Sequence, residues 1–299
     1  MFGQNQIVGR RHFKEMPPNS LEITSIFYTL QGEGPFMGRP AVFVRTAMCN
    51  LACSFCDTYF DAGDVMTFEQ IRAKIDEVLL AHWESLGMEA PDWALKVDGS
   101  QSDRPFSHDG LLLVITGGEP ALQTNLEQFL QEEYPYWYAI QIESNGTLDL
   151  HTLAQEATIV LSPKCAEVDG KPTHYLLPSQ RNLSVASYLK FVVSADPESP
   201  YHSVPKWAVD WASDHCAADV FVSPMNVYQA QPMAIKIATM KEGVPSLELR
   251  STVIEKVSFW EPGLLNLEAN RANHEHAAKL CMQYGFNLNL QMHLYASLA

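Results

Sequence analysis

The sequence predicts an α/β fold in which a parallel sheet forms a partial, open (β/α) barrel with its active site at the carboxyl ends of the strands. Two observations support this prediction. Short apolar segments alternate with segments of helical periodicity, which is typical of βαβ units. Cysteine-rich, glycine-rich and polar motifs follow directly after predicted strands, at the edge where parallel α/β folds bind ligands.

The elements begin after a polar segment. Residues 1–20 are polar, end in Pro17-Pro18-Asn19-Ser20 and predict an N-terminal extension. Residues 21–30 and 41–45 are rich in β-forming, apolar side chains, so each predicts a strand. Thr67 is the expected N-cap of a helix that carries an apolar stripe and ends near Gly87.

The alternation continues through a domain that we expect to run from 21 to 299. Residues 88–109 are rich in Pro, Gly, Asp and Ser and predict a surface insertion. Apolar runs then predict strands over 111–116, 138–143, 158–161, 188–193, 220–223 and 287–292. The segments between them predict helices over 125–133, 149–156, 206–215 and 264–284. Residues 165–187 are expected to be irregular.

Composition and charge limit the classes of function. The chain has 20 Lys and Arg against 35 Asp and Glu, a formal charge of −15, and no basic run, which disfavours direct nucleic-acid binding. No apolar run could span a bilayer and no signal peptide is recognisable, so we expect no membrane association and a cytoplasmic location. Cys165, Cys216 and Cys281 lie far apart, which suits a reducing compartment.

The other three cysteines form the most informative motif. Cys49, Cys53 and Cys56 are spaced C-x3-C-x2-C directly after a predicted strand. Three buried apolar thiols or an incomplete zinc site would also place cysteines close together, but structural zinc sites use four ligands. A [4Fe-4S] cluster is usually held by four thiolates, so three would leave one iron open to a small-molecule ligand.

Each remaining motif has a structural and a functional interpretation. Gly117-Gly118 is either a tight turn or a place where a ligand approaches the backbone. Glu143 and Asn145 lie at the end of the next predicted strand, and Ser162-Pro163-Lys164 follows the strand after that. Each segment is either a turn or a ligand contact.

Two further residues near the cysteines invite the same question. Arg45 lies in an otherwise apolar strand, so it needs either a structural carboxylate partner or an acidic substrate. Thr58 is a turn residue or an oxygen ligand for Mg²⁺.

His274 and His276 lie on different faces of a predicted helix and are interpreted as solvated surface. We expect His293 to reach the strand edge that carries the motifs.

The cysteine motif resembles the cluster loop of the radical S-adenosylmethionine (SAM) superfamily. The resemblance implies that SAM binds the open iron and is reductively cleaved to methionine and a 5'-deoxyadenosyl radical. It also implies an electron donor such as flavodoxin or ferredoxin.

A narrower resemblance covers most of the chain. The segments Leu30-Gln-Gly-Glu-Gly34, Gly38-x-Pro40-Ala-x-Phe43-x-Arg45, Ile115-Thr-Gly-Gly-Glu-Pro120 and Gln291-x-His293-x-Tyr295 are similar to the 7-carboxy-7-deazaguanine synthase family. That family implies ring contraction of 6-carboxy-5,6,7,8-tetrahydropterin to 7-carboxy-7-deazaguanine with loss of ammonia, assisted by Mg²⁺, in queuosine-type 7-deazapurine synthesis. It also implies a homodimer.

Matching positions carry the family's roles as expectations. Cluster ligands are Cys49, Cys53 and Cys56, and Thr58 resembles the Mg²⁺ ligand. Seven residues resemble the family's SAM contacts: Phe55, Cys56, Asp57, Gly118, Ser162, Pro163 and Lys164. Six residues resemble the family's pterin contacts: Leu30, Gln31, Gly32, Arg45, Thr116 and His293. Among them, Arg45 is available for the substrate carboxylate.

Two alternatives remain open. Another radical SAM enzyme, such as an activase that installs a glycyl radical on a protein, would share the cluster loop. A non-catalytic binding module with a structural metal would share the cysteines alone.

Overall fold

A computed structural model describes residues 16–97, 106–228, 234–241, 244–251, 259 and 265–296. The strands are Ser20–Leu30 (β1), Pro40–Thr46 (β2), Asp64–Thr67 (β3), Lys96–Val97 (β4), Phe106–Gly117 (β5), Trp137–Ser144 (β6), Thr158–Leu161 (β7), Cys165–Val168 (β8), Lys171–Tyr175 (β9), Tyr188–Val193 (β10), Val220–Pro224 (β11), Ala234–Lys241 (β12), Val244–Ser251 (β13) and Asn287–Leu288 (β14). The α-helices are Phe68–Ser85 (α1), Leu126–Glu133 (α2), Gln180–Val185 (α3), Lys206–Asp214 (α4), Leu267–Tyr284 (α5) and Met292–Ala296 (α6).

One large sheet organises the described residues. Its strand order is β14-β11-β10-β7-β6-β5-β2-β1-β3, and β4 pairs with β5 outside this path. All neighbours from β14 to β2 are parallel, whereas β1 pairs antiparallel with both β2 and β3. The predicted α/β class with a mostly parallel sheet is therefore confirmed. Two separate hairpins, β8–β9 and β12–β13, lie outside the sheet.

The core forms where the sequence pattern predicts it. The run from Leu111 to Ile115 in β5 is completely buried, as expected of a parallel strand covered on both faces. On α1 the apolar stripe of Ile71, Ile75 and Leu79 is also completely buried. Thr67 caps this helix as predicted, in a capping box with Gln70.

The predicted surface insertion at 88–109 is only partly correct. Residues 98–105 lie outside the described residues, but both flanks pack into the fold. Ala94 and Leu95 are buried, and β4 pairs with the beginning of β5. Strand β5 begins at Phe106 rather than at 111, and His108 within it is buried and bonded to the Ala94 carbonyl at 3.0 Å. The polar composition concealed these contacts.

The expected irregular stretch 165–187 contains the β8–β9 hairpin and α3. The hairpin turns at Asp169 and Gly170, whose φ angles of 51° and 71° are the left-handed values of a type I′ turn. The helix predicted at 149–156 is only a 3₁₀ turn at Leu153–Gln155.

The last predicted strand, 287–292, is shorter than expected. It ends at Leu288, and the next side chain, Asn289, is completely buried. Its Oδ1 accepts from the Gly34 N–H at 2.7 Å and its Nδ2 donates to the Ser223 hydroxyl at 2.7 Å. The chain then continues into α6.

The first fifteen residues of the predicted N-terminal extension lie outside the described residues. The remainder docks on the fold, since Met16 is buried and the Pro17 carbonyl accepts from Asn125 Nδ2 at 2.7 Å. None of the helices in the described part combines the length and apolar character needed to cross a membrane. The division into an extension and one domain stays a prediction.

Candidate active site

A cavity of about 270 Å³ lies at the carboxyl ends of β2, β5, β6, β7, β10 and β11. Parallel strands bring these ends to one edge, so motifs far apart in sequence meet there. The sequence-predicted residues that line the cavity are Leu30, Gln31, Gly32, Arg45, Cys49, Cys53, Phe55, Cys56, Asp57, Thr58, Thr116, Gly118, Ser162, Lys164 and His293. Pro163 is buried but does not line it.

The cysteine loop supplies three thiols to this cavity. Burial raises the pKa of Cys49, Cys53 and Cys56 to about 12, so each is a neutral thiol until a metal displaces its proton. Within the described residues, no three Cys, His, Asp or Glu side chains could hold a single metal ion. An iron–sulfur cluster takes one thiolate on each of several irons, so the three soft donors in one desolvated cavity fit that group.

The glycine pair after β5 holds the cysteine loop against the sheet. A Cβ on Gly118 would lie 1.8 Å from the Met48 carbonyl oxygen, and one on Gly117 would lie 2.3 Å from the Thr46 oxygen. The Glu119 N–H donates to the Met48 carbonyl at 2.8 Å. The missing side chains therefore admit the backbone of the cysteine loop.

The side chain of Glu119 links two strand ends. Its carboxylate is completely buried and accepts from the Ser144 hydroxyl at 2.8 Å and the Asn145 N–H at 2.7 Å. Asn145 Nδ2 in turn donates to Asn50 Oδ1 at 3.0 Å. The cysteine loop is thereby tied to the end of β6.

Arg45 extends from β2 into the cavity. Burial lowers the pKa of its guanidinium, while Asp57 and Glu143 favour the charged form. The group lies 4.9 Å from the centre of the Phe27 ring. Among the described residues no carboxylate forms an ion pair with it, and the nearby carboxylate of Glu143 is instead bonded to Lys190. This favours the second interpretation of Arg45, a guanidinium available to an acidic ligand.

A lysine between two carboxylates forms a separate charged group. Lys190, on β10, is bonded through Nζ to Glu33 and, at 2.6 Å, to Glu143 Oε2. Burial opposes ionisation of Glu33, but Lys190, together with Gln291 and His293, outweighs burial, and the pKa of Glu33 is lowered to about 2. Glu143 Oε1 also accepts from Gln31 Nε2 at 3.3 Å and Gln141 Nε2 at 3.0 Å.

The C-terminal segment closes one side of the cavity. The Met292 N–H donates to the Gly32 carbonyl at 3.1 Å, and a Cβ on Gly32 would lie 3.4 Å from His293 Nδ1. Burial lowers the pKa of His293, although Glu33 favours its protonated form. His293 therefore reaches the strand edge as expected.

The remaining predicted ligand residues lie beside the thiols. Lys164 Nζ donates to the Ser162 hydroxyl at 2.6 Å and carbonyl at 2.7 Å, and burial lowers its pKa. Phe55 packs edge-on against Tyr201 with ring centres 5.1 Å apart. The Thr58 hydroxyl donates to Asp57 Oδ1 at 3.2 Å.

The histidines of α5 have structural contacts instead. His274 bonds to the Tyr295 hydroxyl at 2.9 Å, and the His276 ring stacks on that of His202 at 4.2 Å. Their placement on different faces was predicted, but they are partly buried rather than fully solvated.

Sequence reasoning assigned no role to Lys190, Glu33 or Asn226, all of which line the cavity. For Lys190 a signal existed, since a lone lysine in the apolar strand 188–193 raises the same question as Arg45 in β2. Asn226 carries no comparable signal. Its Oδ1 is buried without a hydrogen-bond partner among the described residues.

Similar known proteins identify the family of this chain. No family model matches the chain. The 7-carboxy-7-deazaguanine synthase of Rickettsia prowazekii is 34% identical over 195 residues, which are 65% of this chain and 69% of the relative. The synthase of Rhodospirillum rubrum is 34% identical over 207 residues, which are 69% and 71%.

The fold has a solved counterpart as well. The crystal structure of QueE from Escherichia coli matches with a TM-score of 0.50 and 18% identity, covering 91% of this chain and 94% of that one. This likeness supports the fold alone, whereas the two synthases share sequence over most of their length. On that shared sequence, the chain belongs to the 7-carboxy-7-deazaguanine synthase family.

Proposed function

We propose that this chain catalyses the ring contraction of 6-carboxy-5,6,7,8-tetrahydropterin to 7-carboxy-7-deazaguanine with release of ammonia, a step in queuosine-type 7-deazapurine synthesis. The observation that carries the proposal is one cavity that contains both the three thiols and an arginine without an ion-pair partner among the described residues. Family membership supports the same reaction.

The family implies a [4Fe-4S] cluster and SAM, and Cys49, Cys53 and Cys56 are the residues that would hold the cluster. Together these groups supply one-electron reduction and hydrogen-atom transfer. Phe55, Cys56, Asp57, Gly118 and Ser162 to Lys164 are proposed SAM contacts. Lys164 is the cation of this set, and Gly118 acts indirectly by admitting the cysteine loop.

Substrate binding is assigned to Leu30, Gln31, Gly32, Arg45, Thr116 and His293. Arg45 would bind the pterin carboxylate, because a guanidinium can pair with both oxygens of a carboxylate. The ring of Phe27, whose centre lies 4.9 Å from the guanidinium, adds a cation–π contact that helps to orient Arg45. His293, whose pKa is lowered by burial, would present a neutral ring to the substrate.

Mg²⁺ would bind Thr58, whose hydroxyl already bonds to Asp57, in a site completed by substrate oxygen atoms. The finer expectations remain proposals as well: a partial, open (β/α) barrel, a homodimer, a cytoplasmic location, and flavodoxin or ferredoxin as electron donor.

The reconstituted protein tests the function directly. Incubated without oxygen with SAM, a reductant and carboxytetrahydropterin, it should form carboxydeazaguanine, detected by mass spectrometry. Cleavage of SAM without this product would contradict the proposal and favour another radical SAM enzyme, such as a glycyl-radical activase.

Two cysteine variants distinguish loss of the cluster from a general effect of removing a thiol. Cys53→Ala should abolish SAM cleavage while circular dichroism stays unchanged. Cys216→Ala, at an exposed cysteine outside the cavity, should retain cleavage. Cleavage by the Cys53 variant would overturn the cluster assignment.

A further inference from the structure

Tyr201 is an almost completely buried side chain that packs against the cysteine loop but does not itself line the cavity. It belongs to the 3₁₀ turn Pro200–His202, which follows β10. Its carbonyl accepts a hydrogen bond from the Ser194 N–H at 3.0 Å, and Ser194 directly follows the last residue of β10. The side chain is therefore held by a turn that is anchored to the central sheet.

Two contacts join the Tyr201 side chain to the two segments proposed to bind SAM. Its ring meets that of Phe55 edge-on, with ring centres 5.1 Å apart and an interplanar angle of 85°. Its hydroxyl accepts a hydrogen bond from the Cys165 N–H at 2.8 Å. Phe55 lies in the cysteine loop and Cys165 directly follows Lys164, so one side chain links segments that are distant in sequence.

A further aromatic contact fixes the ring of Tyr201 itself. Tyr175, in β9, meets it edge-on with ring centres 5.4 Å apart. The Tyr175 hydroxyl in turn donates to the Val192 carbonyl in β10 at 3.1 Å. Edge-to-face contact is a preferred geometry of aromatic pairs, so the Tyr201 ring has a defined orientation.

The orientation of Phe55 matters because its ring lines the cavity. An aromatic ring stacks on a planar base through its face, and the adenine of SAM offers such a base. An edge-on neighbour limits rotation of the Phe55 ring and covers at most one of its two faces. The hydrogen bond to Cys165 likewise restrains the backbone beside Lys164, which also lines the cavity.

We propose that Tyr201 is a positioning residue for SAM, which holds the Phe55 ring and the segment 162–164 in the relative placement that SAM binding requires. It does so from outside the cavity, through Phe55 and the backbone of Cys165. This inference rests on the proposed function and adds to it a residue that sets the affinity for SAM.

Equilibrium binding of SAM to the reconstituted protein tests this role. The measurement is made without oxygen and without a reductant, so that SAM is not cleaved. Tyr201→Phe keeps the ring and removes the hydroxyl, whereas Tyr201→Leu removes both contacts. Tyr134→Phe is the matched control, because Tyr134 is exposed and does not line the cavity.

For Tyr201→Phe we expect the Kd for SAM to rise roughly threefold to tenfold, because the Cys165 N–H loses its acceptor. Tyr201→Leu should weaken binding by roughly another threefold to tenfold, since Phe55 loses its edge contact. At saturating SAM, KM for the pterin should change by less than about twofold in either variant. Iron content should be unchanged, and Tyr134→Phe should match the wild type.

The outcomes separate this inference from the function on which it rests. Wild-type affinity for SAM in Tyr201→Phe would overturn the inference, and so would an equal loss of affinity for SAM and for the pterin, which is expected of a residue that only stabilises the fold. Tyr201→Phe removes a single oxygen atom, so it decides the question if Tyr201→Leu does not fold. No binding of SAM by the wild type would overturn the proposed function as well.

A double-mutant cycle tests whether Tyr201 acts through Phe55. Phe55→Leu alone should weaken SAM binding, because it removes a ring that lines the cavity. In that background Tyr201→Leu should raise the Kd by a smaller factor than in the wild type, because no ring is left to orient. The same factor in both backgrounds would overturn the inference.

Discussion

Glu167, in β8, accepts two hydrogen bonds from Ser54, one residue beyond Cys53. The Ser54 N–H and hydroxyl lie 2.8 and 3.1 Å from the same carboxylate oxygen. Ser54 is exposed at the tip of the cysteine loop. The β8–β9 hairpin therefore restrains the loop from outside, while Gly118 and Asn145 restrain it from the sheet.

Removing this restraint should weaken retention of the cluster. In Glu167→Ala the loop loses two charge-assisted hydrogen bonds, each worth about 1.5–3 kcal/mol. We expect faster loss of iron and sulfide to a chelator, measured without oxygen. The control Glu198→Ala removes an exposed carboxylate elsewhere. Equal rates of loss in Glu167→Ala and the control would contradict the role of the hairpin.

Gly118→Ala should displace the cysteine loop. Its Cβ would overlap the Met48 carbonyl at 1.8 Å, and backbone on both sides must shift. Overpacking of this kind typically costs about 1–3 kcal/mol or more, so the thermal midpoint and the iron content should both fall. Gly170→Ala is the control: its φ is +71° but nothing lies within 4 Å, so it carries only about 1–2 kcal/mol of backbone strain. Full iron content in Gly118→Ala would refute the explanation.

The sequence was sufficient to predict which motifs meet in the site, because these motifs follow strands that are recognisable from apolar runs. Cys49, Thr116 and Ser162 could be placed together since parallel strands share one carboxyl edge. The pairing of Lys190 with Glu33 could not, because it joins residues 157 positions apart through side chains whose approach depends on the strand order.

The β8–β9 hairpin was missed for a different reason. Its residues show little apolar alternation, because the hairpin lies outside the sheet and buries few of its side chains. The Asp169-Gly170 dipeptide is a turn signal that could have revealed it. The early start of β5 at Phe106 was hidden by its polar composition, since His108 and the residues around it resemble a loop.

The ionisation of Glu33 should appear in the acid stability of the fold. Its pKa falls from 4.5 to about 2 on folding, so its contribution is present above about pH 4.5 and lost as pH falls towards 2. A shift of this size corresponds to about 3 kcal/mol. Glu33→Gln should be less stable than wild type at pH 7, with a difference that shrinks in acid, as measured by urea denaturation at several pH values. A difference that does not depend on pH would contradict the linkage.

We expect Arg45 to lower the stability of the free protein and to strengthen binding of the substrate. Its half-buried guanidinium has no ion-pair partner among the described residues, and desolvation lowers its pKa, so in the free protein its charge is unfavourable. Arg45→Met removes that charge and keeps much of the packing on Phe27. We therefore expect its thermal midpoint to equal or exceed that of wild type, while KM for the pterin rises roughly tenfold to a hundredfold. Arg39→Met is the matched control, because Arg39 stacks on Tyr138 at 3.7 Å and does not line the cavity. A lower midpoint together with an unchanged KM would mean that Arg45 is a structural residue and that the substrate carboxylate binds elsewhere.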